Sequence, residues 1–112
     1  MVLLSGNSLF FQLSWEVLEV ARMCGESLIN QPGQEDRALR ALAFIHMQLG
    51  GLESLKDNFD GAVTEYNQGA LYADRLAQCG SVSKSNRLLS EIFLPMGQAY
   101  MCQQKFKEAK EV

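Results

Sequence analysis

The sequence predicts an all-α protein. Apolar residues recur at three- and four-residue intervals through most of its 112 residues. No segment alternates apolar and polar residues as a half-buried strand would, and only two prolines, Pro32 and Pro95, punctuate the chain. The length suits one small domain, residues 1–112. A net charge of −3 without a Lys/Arg stripe argues against direct nucleic-acid binding and points to a protein partner. The N-terminal MVLLSGNSLFF lacks a basic n-region and is too short to span a bilayer, so neither a signal peptide nor membrane association is expected. Cys24, Cys79 and Cys102 are odd in number, widely spaced and free of CxxC, which suits a reducing, intracellular compartment.

The first helix is expected from about Ser8 to Ile29, with Leu9, Leu13, Val17, Val20 and Cys24 as its stripe and Phe10, Trp15, Leu18 and Met23 flanking. Asn30-Gln31-Pro32-Gly33 breaks it. A second helix runs from about Glu35 to Lys56, with Glu35 and Asp36 at its positive end and Ala38, Leu42, Ile45, Leu49 and Leu52 inward. Asp57-Asn58 supplies a turn and an N-cap. The third helix then buries Phe59, Ala62, Val63, Tyr66, Ala70 and Ala73 and reaches about Gln78. Ser81 or Ser83 caps a fourth, carrying Leu88, Leu89, Ile92, Phe93, Met96 and Tyr100. Pro95 lies inside it and predicts a kink rather than a break, because the apolar pattern continues. A short, fraying fifth helix is expected from about Gln104, with Phe106 and Ala109.

Residues 49–62, LGGLESLKDNFDGA, recur as MGQAYMCQQKFKEA at 96–109. Leu49 matches Met96, Gly50 Gly97, Phe59 Phe106, and Ala62 Ala109, each 47 residues on. A glycine in a helix costs roughly 1 kcal/mol against alanine, so close helix packing is its expected compensation. Glycine followed twelve residues later by alanine resembles the tetratricopeptide repeat, with Tyr66 and Gly69 at further repeat positions. That repeat is about 34 residues long, which leaves about 13 extra residues after Gly69 and predicts an elongated second helix. The expected architecture is tetratricopeptide-like antiparallel pairs: an unpaired helix at 9–30, an elongated repeat at 35–79 and an incomplete repeat at 83–112. About four long helices and a short C-terminal one would form part of a right-handed superhelical array.

LSWEVLEVAR (13–22), RALRALAFIHMQLG (37–50), LKDNFDGAVTEYNQGALY (55–72), RLLSE (87–91), MGQAY and FKEA together resemble, in order over residues 9–110, the nuclear autoantigenic sperm protein family of interrupted-repeat histone chaperones. The resemblance implies a non-enzymatic, cofactor-free module binding core histones, in some members linker histone. It also implies other chaperone components or a second copy as partners, in the nucleus and also the cytoplasm. The repeat scaffold would be Trp15, Leu49, Gly50, Phe59, Ala62, Tyr66, Gly97, Phe106 and Ala109. The histone-contacting set would be Asp57 and Glu91, with Glu53 beside the family positions and Leu94 where the family has an aromatic residue. The chain departs from the family where an acidic tract would precede the Trp helix, and Gly51 and Leu55 stand where the family has acids. A fragment or a shortened relative is therefore expected.

No Ser/His/Asp triad, phosphate loop or paired metal ligands emerge, and His46 has no ligand-type partner at i+4. Trp15, the cysteines and the methionines read first as packing residues. Glu16, Glu19, Asp57, Asp60 and Glu65 read either as a solvated face or as contacts to basic histone segments. The alternative function is a generic tetratricopeptide adaptor or a self-associating scaffold.

Overall fold

The computed structural model describes residues 2–111, with side chains for residues 9–108. Four helices, α1 (Val2–Leu28), α2 (Glu35–Leu55), α3 (Phe59–Gln78) and α4 (Val82–Glu111), pack antiparallel in chain order, and no strand occurs among the described residues. The α2–α3 interface is the most extensive, followed by α3–α4 and α1–α2; α1 packs on α2 alone. The result measures 50 × 32 × 18 Å, about two helix diameters thick.

Local chemistry sets the boundaries. The α1–α2 turn passes through Gly33 at φ +78°. α2 ends in a Schellman motif: the Asn58 amide donates to the Glu53 carbonyl (2.9 Å) and the Asp57 amide to that of Ser54 (3.0 Å). The left-handed residue this motif requires is Asp57, at φ 59°. Asn58 then caps α3, its side-chain oxygen accepting from the Gly61 amide at 3.3 Å. α3 ends the same way, with Gly80 at φ +97°, Ser81 N–H on the Leu76 carbonyl (3.1 Å) and Gly80 N–H on that of Ala77 (3.0 Å). Of the two serines expected to start the fourth helix, Ser81 holds the position, its carbonyl accepting from Ser85 N–H at 3.0 Å.

The core lies along α2 and α3. Leu39, Leu42, Leu49, Leu76 and Ile92 are fully buried, with Ala38, Ala43, Ala62 and Ala73 allowing close approach. Gly50 allows close approach to an aromatic ring: a Cβ there would lie 2.6 Å from the buried Tyr66 ring. Tyr66 also joins Ala62, Val63, Ile92 and Ala99 in the cluster linking α3 to α4. Phe59 and Phe106, the aromatic pair matched across the 47-residue spacing, touch each other, ring centroids 5.4 Å apart.

Four expectations are corrected. The apolar stripe assigned to the first helix, Leu9, Leu13, Val17, Val20 and Cys24, faces solvent; Phe11, Ser14, Trp15, Leu18, Ala21 and Gly25 turn toward α2 instead. A helix apolar on more than one side offers two usable faces, and the packing of α2 selects one. Separate fourth and fifth helices do not form: α4 continues for 30 residues through Pro95, because MCQQKFKEAK contains no turn-forming residue. Gly97 does not pack as Gly50 does; a Cβ there would meet nothing within 4 Å. Cys24 and Cys79 are exposed rather than buried, and Cys102 is half-buried. The Ala109 side chain lies outside the described residues.

Gly50→Ala is expected to lower stability by about 1–3 kcal/mol, because the buried Tyr66 ring cannot swing aside. Gly97→Ala is expected to raise it by about 1 kcal/mol through helix propensity alone. Urea unfolding of both variants beside the parent checks this; equal effects would refute the packing role of Gly50.

Candidate functional site

The four residues expected to contact histone do not form one cluster. Glu53 is buried and committed to the α2–α3 turn: its carboxylate accepts from Asn58 Nδ2 and lies 3.4 Å from Lys56 Nζ. It lies next to Gly61, where a Cβ would meet Glu53 Oε2 at 2.6 Å. Asp57 is exposed at the turn, in a hollow of about 300 Å³ with Asp60, Phe59, Phe106 and Lys107. Glu91 and Leu94 sit in the middle of α4, where Glu91 Oε1 meets Arg87 Nε at 3.8 Å and Leu94 is 70% exposed. Lys107, beside Asp57, lies sixteen residues along α4 from Glu91, about 24 Å at 1.5 Å per residue.

Other carboxylates do converge. α1 and α3 flank α2, and between them lies a groove of about 390 Å³ lined by Glu19, Arg22, Glu26, His46, Glu65 and Gln68, with Thr64 at its edge. Arg22 is clasped by Glu19 Oε2 at 2.7 Å and Glu26 Oε1 at 2.8 Å, and these two bonds push its pKa up still further. Glu65 reaches across from α3 to His46 Nδ1 at 2.8 Å. The His46 ring is buried and stacks on Tyr72, centroids 5.5 Å apart, and its Nε2 has no hydrogen-bond partner. Three carboxylates from two helices thus share a groove with one guanidinium. Glu19 and Glu65 are among the acids that the sequence offers as contacts to a basic segment. Glu26 is not among them, although its spacing of four from Arg22 is the sequence signal for it.

On the opposite side of the α1–α2 pair is a larger, apolar groove of about 760 Å³. It runs between Phe10, Leu13 and Val17 of α1 and Gly51, Leu52 and Leu55 of α2. Gly51 and Leu55 therefore line an apolar surface. Trp15 is half-buried in a separate hollow with Phe11, Gln12, Glu53 and Lys56, with Lys56 Nζ 5.3 Å from its ring centroid.

At the far end, Asp36 gathers Ser81 Oγ (2.7 Å), Arg40 Nε (3.1 Å) and Lys84 Nζ (3.6 Å), tying the start of α2 to the α3–α4 turn. The Ser81 hydroxyl, helped by Lys84 and Arg40, holds the Asp36 carboxyl below the usual carboxylate range. Cys79 Sγ donates to Glu35 Oε1 at 3.3 Å, which raises the thiol pKa and disfavours thiolate. Among the described residues, no group of three His, Cys, Asp or Glu side chains is placed to hold a metal ion, and no helix is long and apolar enough to cross a membrane.

Comparison with family models, curated proteins and solved structures finds no match.

The depressed pKa of Asp36 sets a pH dependence. Its contribution to stability is complete above the unfolded carboxylate value, about 4, and is lost as pH falls through the lower folded value. Ser81→Ala should therefore destabilise the protein more at neutral pH than in strong acid. Urea unfolding of the parent and variant at both pH values measures the difference, and a pH-independent one would refute the link.

Proposed function

We propose that this chain is a histone-binding chaperone module: a tetratricopeptide-like superhelical scaffold, without catalytic activity, that holds a basic segment of a core histone in the nucleus. The observation that carries the reading is the groove in which Glu19, Glu26 and Glu65 converge across α2. A partner lysine or arginine entering it meets several fixed carboxylates, and Arg22 keeps two of them in place. The ordered family motifs over residues 9–110 supply the partner's class. The apolar groove on the other side of the α1–α2 pair offers an anchoring surface, since exposed ion pairs by themselves contribute only about 0–1 kcal/mol each.

Glu53 is withdrawn from the contact set because the turn uses its carboxylate. Asp57, with Asp60 at the entry to α3, forms a second acidic patch for an extended basic chain. Glu91 and Leu94 would belong to a separate contact on α4.

Fluorescence anisotropy with labelled core histones across a salt series tests the reading. Saturable binding is expected at low salt, weakening as salt rises, because the groove is open to solvent. Replacing Glu26 and Glu65 together by Gln should weaken it by about tenfold, the sum of two solvent-accessible charge contacts. Absence of saturable binding at low salt would overturn the proposal and leave the generic adaptor.

A further inference from the structure

His46 is the chain's only histidine, and among the described residues it is the only one of α2 that lines the groove between α1 and α3. Its ring therefore forms the floor. The side chain is 7% exposed. Its two nitrogens are placed differently. Nδ1 lies 2.8 Å from Glu65 Oε2. An ionised carboxylate can only accept, so Nδ1 carries the proton of the neutral ring and Nε2 keeps a lone pair. Among the described residues, Nε2 is the one buried side-chain nitrogen or oxygen without a hydrogen-bond partner. A buried acceptor left without a donor is costly, so this one is a place for a donor from outside the chain.

The walls retain acceptors of their own. Glu19 and Glu26 of α1 hold Arg22, and Glu65 of α3 holds His46, but each uses a single carboxylate oxygen: Oε2 of Glu19, Oε1 of Glu26 and Oε2 of Glu65. Among the described residues, no hydrogen bond engages the second oxygen of any of the three. With His46 neutral, these carboxylates outnumber the one guanidinium that they surround. Tyr72 stacks on the ring from α3, and α4 contributes no residue to the lining. Glu19, Arg22 and Glu26 are long and only partly buried, so they can shift to admit a group to the floor.

The partner that suits this groove is a donor and a cation at once. A guanidinium meets both needs. Its N–H groups spread in a plane, so that one reaches Nε2 while others serve the second oxygens of the walls. It is also more weakly hydrated than an ammonium, which favours entry to a buried acceptor. We propose that this groove is a site for one arginine side chain, held by an N–H donated to His46 Nε2 and by the second oxygens of Glu19, Glu26 and Glu65, and released when Nε2 takes up a proton. The protonated ring has no lone pair to offer and sets a positive charge beneath the ligand's own. Arginine and proton therefore exclude one another. The site rests on the groove being the cation site proposed above, but it does not require that the arginine come from a histone.

The test is a titration of the whole protein with the peptide acetyl-Ala-Arg-Ala-amide between pH 8 and pH 5, the range in which histidine ordinarily changes charge. NMR of the imidazole follows it, without ambiguity because the chain has one histidine. At pH 8 the Nε2 resonance should move as the peptide saturates the site. The dissociation constant should rise about tenfold for each pH unit below the point at which His46 protonates, and by reciprocity the peptide should lower that point. Peptides with citrulline or lysine in place of arginine should bind more weakly, the first for want of charge and the second for want of the planar fork. His46→Gln, its fold verified by circular dichroism, should still bind at pH 8, because the amide oxygen accepts, and should lose the pH dependence. If that variant does not fold, the shift of the His46 protonation point in the parent decides. No binding of the arginine peptide at pH 8, equal affinity at pH 8 and pH 5, or an equally tight citrulline or lysine peptide would overturn the site. Histone binding that persists without it would leave the partner reading standing; a proton-linked arginine site without histone binding would overturn the partner reading alone.

Discussion

The packing of this protein depends on the approach of Gly50 to Tyr66. Side chains larger than hydrogen at residue 50 would strike the ring within van der Waals distance, so α2 and α3 can lie this close only because that atom is missing. The helix-propensity cost of the glycine, about 1 kcal/mol, is offset by burial of the aromatic ring, worth about 1.5–3 kcal/mol. Tyr66 then serves two interfaces at once, because its other side belongs to the cluster with Ile92 and Ala99. One ring therefore couples α2, α3 and α4, while α1, which touches only α2, is joined to this unit through a single interface.

Polar groups complete the arrangement by fixing the turns. Buried Glu53 and exposed Asn58 brace the α2–α3 connection, and Asp57 takes the left-handed position that glycine takes in the α3–α4 turn. Ser81 and Asp36 link the other end, and Ser85, buried on α4, donates to the Ala73 carbonyl at 2.6 Å. These bonds explain why an acidic residue near a presumed binding face can be structural: burial and a turn partner remove Glu53 from contact with any ligand. The carboxylates left in a shared groove are those of α1 and α3 on either side of His46.

The relation between inner and outer helices organises the surfaces. The middle pair is complete, with His46 of α2 enclosed by Glu65 and Tyr72 of α3. The equivalent of His46 on α4, 47 residues on, is Phe93, half-exposed, and Val17 and Cys24 stand on α1 48 residues before Glu65 and Tyr72. Charged and apolar grooves lie on opposite sides of the α1–α2 pair, and the apolar one includes Leu13 and Val17 of the exposed face of α1.

Helix boundaries were legible in the sequence because capping is local: Glu35, Asn58 and the Cys79-Gly80-Ser81 turn place the ends of α2 and α3 within a residue of expectation. The Gly50 packing position was legible too, from its recurrence and the small residue at Ala62. The acid groove was only half legible, since Glu19 and Glu65 lie 46 residues apart in the chain and meet through the packing of two helices on a third. The length of α4 and the solvent-facing stripe of α1 were misread, the first because the repeat pattern implies a turn that the residues after Tyr100 do not support. Residue chemistry by itself determined that the chain forms helices, where most of them stop and which glycine sits at a tight contact. Tertiary structure alone decided which side of α1 is covered, that Gly97 stays open, and which acids meet. The physical reason is that hydrogen bonding within a helix closes over a few residues, whereas burial of a face depends on a partner elsewhere in the chain.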